Sequence, residues 1–142
     1  MAAPELPVEL KQQLEQEVEL LAVSIQQHQN ARTKFQELGE CVASQVKVPK
    51  NSEILVPLTA SMYVNGRITD NDRFLIDIGT GYYIERNREA AIDYFKRKVE
   101  FLSKEIEKIA EQIMMRRKYL ALINFQKEES QQQELQQKSL KQ

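Results

Sequence analysis

Phe74-Leu75-Ile76-Asp77-Ile78-Gly79-Thr80-Gly81-Tyr82-Tyr83-Ile84 reads as two short strands around a tight turn. Aromatic and β-branched residues favour extended backbone, and the Gly-Thr-Gly interruption supplies residues that can reverse the chain. Two further apolar runs precede it, Ile54-Leu55-Val56 and Met62-Tyr63-Val64. Thr59-Ala60-Ser61 separates them, and Thr69-Asp70-Asn71-Asp72 leads into the quoted stretch. Residues 50–86 therefore read as strands in hairpins. Asn65-Gly66 is a frequent hairpin turn. It could instead be a bulge inside a longer strand of residues 62–68; both readings stay open, and the bulge is the favoured one.

On both sides of this segment the periodicity changes. Before it, alternating steps of four and three pick out Leu14, Val18, Leu21, Ile25, His28, Arg32, Phe35, Gly39, Val42 and Val46, seven of ten apolar. After it, the same steps pick out Ile92, Phe95, Val99, Leu102, Ile106, Ile109, Ile113, Arg116, Leu120 and Ile123, nine of ten apolar. Such spacing keeps one seam of a helix against a partner helix. Proline is absent from 8 to 48, Pro4 and Pro7 suit a helix start, and Pro49 follows the end. Asn87 is the expected N-cap of the second helix, and Glu89 suits the positive end of its dipole. The expected boundaries are helix 1 at 8–47, the β segment at 50–86, helix 2 at 88–126, and a polar, Gln-rich tail at 127–142. That tail is expected to fray, because it buries too little to offset its ordering entropy. The fold class is mainly α with a small β segment: a long antiparallel coiled-coil hairpin of helices carrying the strands between them. A small open sheet leaves unpaired edges that a helix pair does not cover. The β segment is therefore expected to be an association site, completed by strands of other chains.

Bulk composition narrows the function. The 142 residues carry 20 Lys+Arg against 21 Asp+Glu, a formal charge of −1, which gives no general pull toward nucleic acid or anionic membranes. The basic runs Lys96-Arg97-Lys98 and Arg116-Arg117-Lys118 lie inside helical patterns and read as solvated flanks. Four glycines, four prolines and no tryptophan suit long helices. No apolar run approaches the ~20 residues of a membrane span, and the N-terminus lacks the pattern of a signal peptide. The expected location is cytoplasmic, with a nuclear one open as well.

No catalytic, cofactor or metal site is expected. Gly79-Thr80-Gly81 lacks the sequence that makes a phosphate loop and reads as a turn. Asp70-Asn71-Asp72 opens like a calcium loop, but Leu75 and Gly81 stand where the loop glycine and closing glutamate should be, so it also reads as a turn. His28 is the sole histidine and sits in the seam, where it and Arg32 are expected to set register or reach solvent. Cys41, the sole cysteine, lies at the seam's edge and is expected to be a partly buried, inert thiol.

Three stretches carry a specific resemblance. Leu55-Val56-Pro57-Leu58-Thr59-Ala60-Ser61-Met62-Tyr63-Val64, then Ile76-Asp77-Ile78-Gly79-Thr80-Gly81-Tyr82-Tyr83-Ile84-Glu85, then Ala90-Ala91-Ile92-Asp93-Tyr94-Phe95-Lys96-Arg97-Lys98 resemble alpha-class prefoldin chains. The likeness is densest from 54 to 102. It implies two β-hairpins between the coiled-coil helices, joined to other prefoldin subunits in a hetero-hexamer of two alpha-class and four beta-class chains. It also implies an ATP-independent co-chaperone that captures unfolded polypeptides of the actin and tubulin class and passes them to the cytosolic chaperonin. On this chain, assembly would rest on Leu55, Val56, Met62, Tyr63, Val64, Leu75, Ile76, Ile78, Tyr82, Tyr83 and Ile84. Client contact would fall near the termini, at Leu6, Val8, Leu10, Leu120, Ile123 and Phe125. The competing expectation is a coiled-coil adaptor or nuclear regulatory scaffold that binds one folded partner.

Overall fold

The computed structural model describes residues 6–141, with side chains from 8 onward. Helix α1 covers Leu6–Ser44, and a short 3-10 turn follows at Gln45–Lys47. Strands β1 (Glu53–Pro57), β2 (Tyr63–Arg67), β3 (Arg73–Gly79) and β4 (Tyr82–Asn87) come next, and helix α2 (Arg88–Leu140) completes the order. The chain is thus two long helices with two antiparallel hairpins between them, β1 with β2 and β3 with β4.

The apolar seams form as their spacing predicts. From Leu14 to Gly39 every seam residue of α1 is half-buried, and Val42 is buried. On α2, Phe95 and Ile113 are buried and the other eight are half-buried. Val46 is the exception: the helix tightens into the 3-10 turn before reaching it, and it is exposed. Asn87 caps α2 as expected, its Oδ1 accepting the backbone N–H of Ala90 at 2.9 Å.

α2 does not stop near 126. It continues to Leu140, with every described residue after Ile123 exposed. Neither glycine nor proline occurs after Gly81, and Gln, Glu and Lys are good helix formers, so nothing local ends the helix. Loss of the apolar seam removes packing, not backbone propensity.

Internal contacts divide the chain into two units, residues 30–103 and residues 1–29 with 104–142. In the first, α1 and α2 run antiparallel: Arg32 Nη1 donates to Ser103 Oγ at 3.4 Å, and the Phe35 and Phe95 rings lie 6.2 Å apart. Its core joins Val42, Ala91 and Phe95 to Ile76 of β3, with Phe74 and Ile84 packed against it. Gly39 faces Phe95 across the pair, and a Cβ there would make an ordinary van der Waals contact at 3.6 Å. In the second unit the helices are again antiparallel, and a half-buried ion pair joins Arg116 Nε to Glu17 at 2.7 Å.

The hairpins settle the turn readings. Asn65 and Gly66 are neither turn nor bulge: they pair in regular register with Leu55 and Ile54. The chain reverses instead at residues 58–62, where Leu58 N–H donates to the Met62 carbonyl at 2.9 Å. Gly66 suits mid-strand because a Cβ would come within 3.1 Å of Val56 Cγ2. The bulge lies in β3, where the register shifts between Asp77 and Gly79 and leaves Ile78 unpaired. Thr80 (φ 53°) and Gly81 (φ 82°) then make a tight turn of type I′ hand. At residues 70–72, Asp70 Oδ1 accepts the N–H of Asp72 at 2.9 Å, as in an Asx turn. Asn71 Nδ2 donates to the Val48 carbonyl at 3.0 Å and Arg88 Nη2 to the Asn71 carbonyl at 3.3 Å, which ties this loop to the start of α2.

Candidate interaction surfaces

Strand alternation decides what each hairpin offers to a partner. In the first hairpin, Ile54, Val56, Val64 and Gly66 share one face, while Leu55, Pro57 and Tyr63 share the other. Both strands are exposed almost throughout, and Leu55 is 66% exposed. A two-stranded ribbon with solvated apolar residues on both faces is marginal alone. Its charged end, with Arg67 Nη2 at 3.5 Å from Glu53 Oε1, is an exposed ion pair that adds little.

The second hairpin is two-sided. Phe74, Ile76 and Ile84 face the helices, while Leu75 and Tyr83 face outward, 74% and 62% exposed. Ile78 and Tyr82 stand exposed beside the turn. Ile76 therefore departs from the expected assembly set: it is 5% exposed and belongs to the chain's own core. The physical reason is period two, which cannot present Leu75 and Ile76 to the same surface. Ile84, directly opposite Ile76, is likewise half-buried against that core. Met62 lies in the turn before β2 and is exposed with the remaining expected residues, Leu55, Val56, Tyr63 and Val64. Sequence reasoning passed over Ile54 and Leu58, both exposed on the same hairpin. Ile54 was already in a run read as a strand, and its place on one face with Val56 was the available signal.

Near the helix ends, Val8 and Ile123 line one groove, rimmed by Lys11, Glu15 and Lys127. Leu10 and Phe125 are exposed outside it, and Leu120 is half-buried in the seam. The side chain of Leu6 lies outside the described residues. Met114, Met115, Tyr119 and Leu122, outside the expected set, are also exposed along α2. The signal was that residues 113–125 are apolar around most of the helix, beyond the seam alone.

Among the described residues no group of three or more His, Cys, Asp or Glu could hold a metal ion. The half-buried His28 ring donates from Nδ1 to the Ser24 carbonyl at 2.7 Å, one turn back along its own helix. Cys41 is exposed, not partly buried, because the seam position beside it is taken by Val42. No described helix is long and apolar enough to cross a membrane.

The model of the prefoldin subunit family matches residues 14–138. The chain belongs to the prefoldin family. It is 51% identical to human prefoldin subunit 5 over 100 residues, covering 70% of this chain and 65% of the human one. It is 45% identical to the probable prefoldin subunit 5 of Drosophila melanogaster over 107 residues, covering 75% and 64%. The chain thus spans just under two thirds of the length of these relatives. A filamentous PFD from Methanocaldococcus jannaschii has the same fold, with a TM-score of 0.72 at 15% identity, covering 80% of this chain and 93% of that one. The two hairpins between long helices are therefore the prefoldin architecture.

Proposed function

We propose that this chain is a non-enzymatic, alpha-class subunit of a hexameric prefoldin complex. In that complex two alpha-class and four beta-class chains join through their hairpins in the cytoplasm. It captures unfolded polypeptides of the actin and tubulin class without ATP and passes them to the cytosolic chaperonin. The carrying observation is the first hairpin, whose apolar residues are solvated on both faces. At roughly 25 cal/mol per Å² of apolar surface, leaving such a ribbon in water forgoes several kcal/mol that neighbouring strands would recover. Four strands with free edges supply the backbone groups for that pairing.

Co-expression with partner subunits tests assembly, and light scattering of a diluted, denatured client tests capture. The expected result is a defined hetero-oligomer that suppresses aggregation with no nucleotide present. An oligomer that leaves aggregation unchanged yet retains one folded partner would replace this reading with that of an adaptor.

A further inference from the structure

One surface in the unit of residues 1–29 and 104–142 belongs neither to the hairpins nor to the groove at Val8 and Ile123. Between α1 and α2, small side chains at Ala22 and Ala121 open a groove of about 630 Å³, with Ile113 and Met114 in its lining. Ile113 is buried, whereas Met114 is 59% exposed. Phe125, also exposed, stands eleven residues along α2 from Met114, on the same side of the helix. Exposed apolar groups gathered in this way mark a binding surface, and methionine adapts to varied shapes.

The rim is positive. Arg117 and Lys118 both line the groove. Arg116 is engaged with Glu17 across the helices, and among the described residues no acidic one lines the groove beside Arg117 and Lys118. Two cations beside an apolar trough complement an occupant that carries both bulky apolar side chains and carboxylates.

We propose that this groove docks extended polypeptide segments in which bulky apolar residues alternate with acidic ones. The inference rests on the client-capture reading above and names the class of segment taken here. An apolar side chain enters the trough lined by Ala22, Ile113, Met114 and Ala121, and neighbouring carboxylates meet Arg117 and Lys118. Arginine offers a two-pronged donor and lysine a point charge. Partial desolvation beside the trough strengthens both pairings over those of fully exposed ions.

The test uses the chain assembled with its partner subunits. Fluorescence anisotropy follows a short labelled peptide alternating Leu and Phe with Asp, the same peptide with Lys for Asp, and one with Ser for Leu and Phe. The Asp peptide should bind about tenfold or more tighter than the Lys peptide, and less tightly as salt rises. The Ser peptide should not bind. Arg117→Glu with Lys118→Glu should reverse the order of the Asp and Lys peptides while sizing shows an unchanged oligomer. Equal affinities in the unmodified complex, or an unchanged order in the double variant, would overturn the proposal. If the double variant does not assemble, Ala121→Phe takes its place by filling the groove. It should weaken the Asp peptide about tenfold, and unaltered affinity would count against the groove just as heavily. Client aggregation measured beside these assays separates the two readings. An unmodified complex that suppresses aggregation without preferring the Asp peptide defeats the groove alone, whereas one that suppresses nothing defeats client capture.

Discussion

Leu75 and Ile76 are neighbours in opposite environments, one exposed and one in the core. Leu75→Asp should leave helicity by circular dichroism unchanged, because the side chain is exposed, and on the proposed assembly it should abolish incorporation into the oligomer on a sizing column by burying an unpaired charge. Ile76→Asp should lose both, because its side chain is already inside the chain's own core. Even Ile76→Ala should cost about 2–5 kcal/mol in chemical denaturation, through lost burial and the cavity left behind. A milder effect at Ile76 than at Leu75 would contradict the inward placement. At the turn, Gly81→Val puts a β-branched residue at φ 82° and should destabilise the hairpin by about 1–2 kcal/mol. Calorimetric titration of the complex with nucleotide and magnesium should show no saturable heat, with or without that change. A micromolar site lost on altering Gly79 or Gly81 would oppose the turn's structural role.

Among the elements, α2 shows how helix formation and helix packing separate. Its last residues are helical but wholly exposed, so only local hydrogen bonds and propensity hold them. Amide exchange should accordingly be fast from residue 129 onward and slow around Phe95 and Ile113, where side chains are buried. Truncation after residue 130 should lower total helicity in proportion to the residues removed, with the unfolding midpoint unchanged. A lowered midpoint would show that the exposed turns have a partner. The first hairpin poses the reverse case, with regular cross-strand pairing and almost no burial. It forms a complete ladder between its strands yet leaves its apolar faces to water.

For the whole molecule, those uncovered faces make stability depend on concentration. Alone, the chain should self-associate or aggregate, and its unfolding midpoint should rise with protein concentration; with partner subunits it should form one defined species. A monomer with a sharp, concentration-independent transition would contradict the assembly role. Changing Leu6, Val8, Leu10, Ile123 and Phe125 together to serine should leave that species intact on sizing and weaken aggregation suppression. Each buried side chain contributes at most about 1.5–3 kcal/mol, and on the proposed function other chains of the complex would still hold the client, so the loss should be graded. Collapse of the oligomer in this variant would instead give these residues a part in assembly.

Local signals sufficed for the helices, the cap and the strands: a 3.5-residue period for the helices and their seams, side-chain capping chemistry for Asn87, and runs of aromatic and β-branched residues between turn residues for the strands. The side facing inward was another matter. Leu75 and Ile76 are equally apolar, and only the position of Phe95 and Val42 beneath β3 separates core from surface. Asn65-Gly66 carries a turn signature, yet cross-strand pairing with Leu55 and Ile54 overrides it and moves the reversal to residues 58–62. The continuation of α2 to Leu140 was hidden because absence of a seam resembles absence of a helix. The groove rimmed by Arg117 and Lys118 needs Ala22 and Ile25 of α1 set beside α2, about ninety residues further along the chain. Adjacency of that kind arises only when two antiparallel helices fix their register, which no single stretch of the sequence encodes.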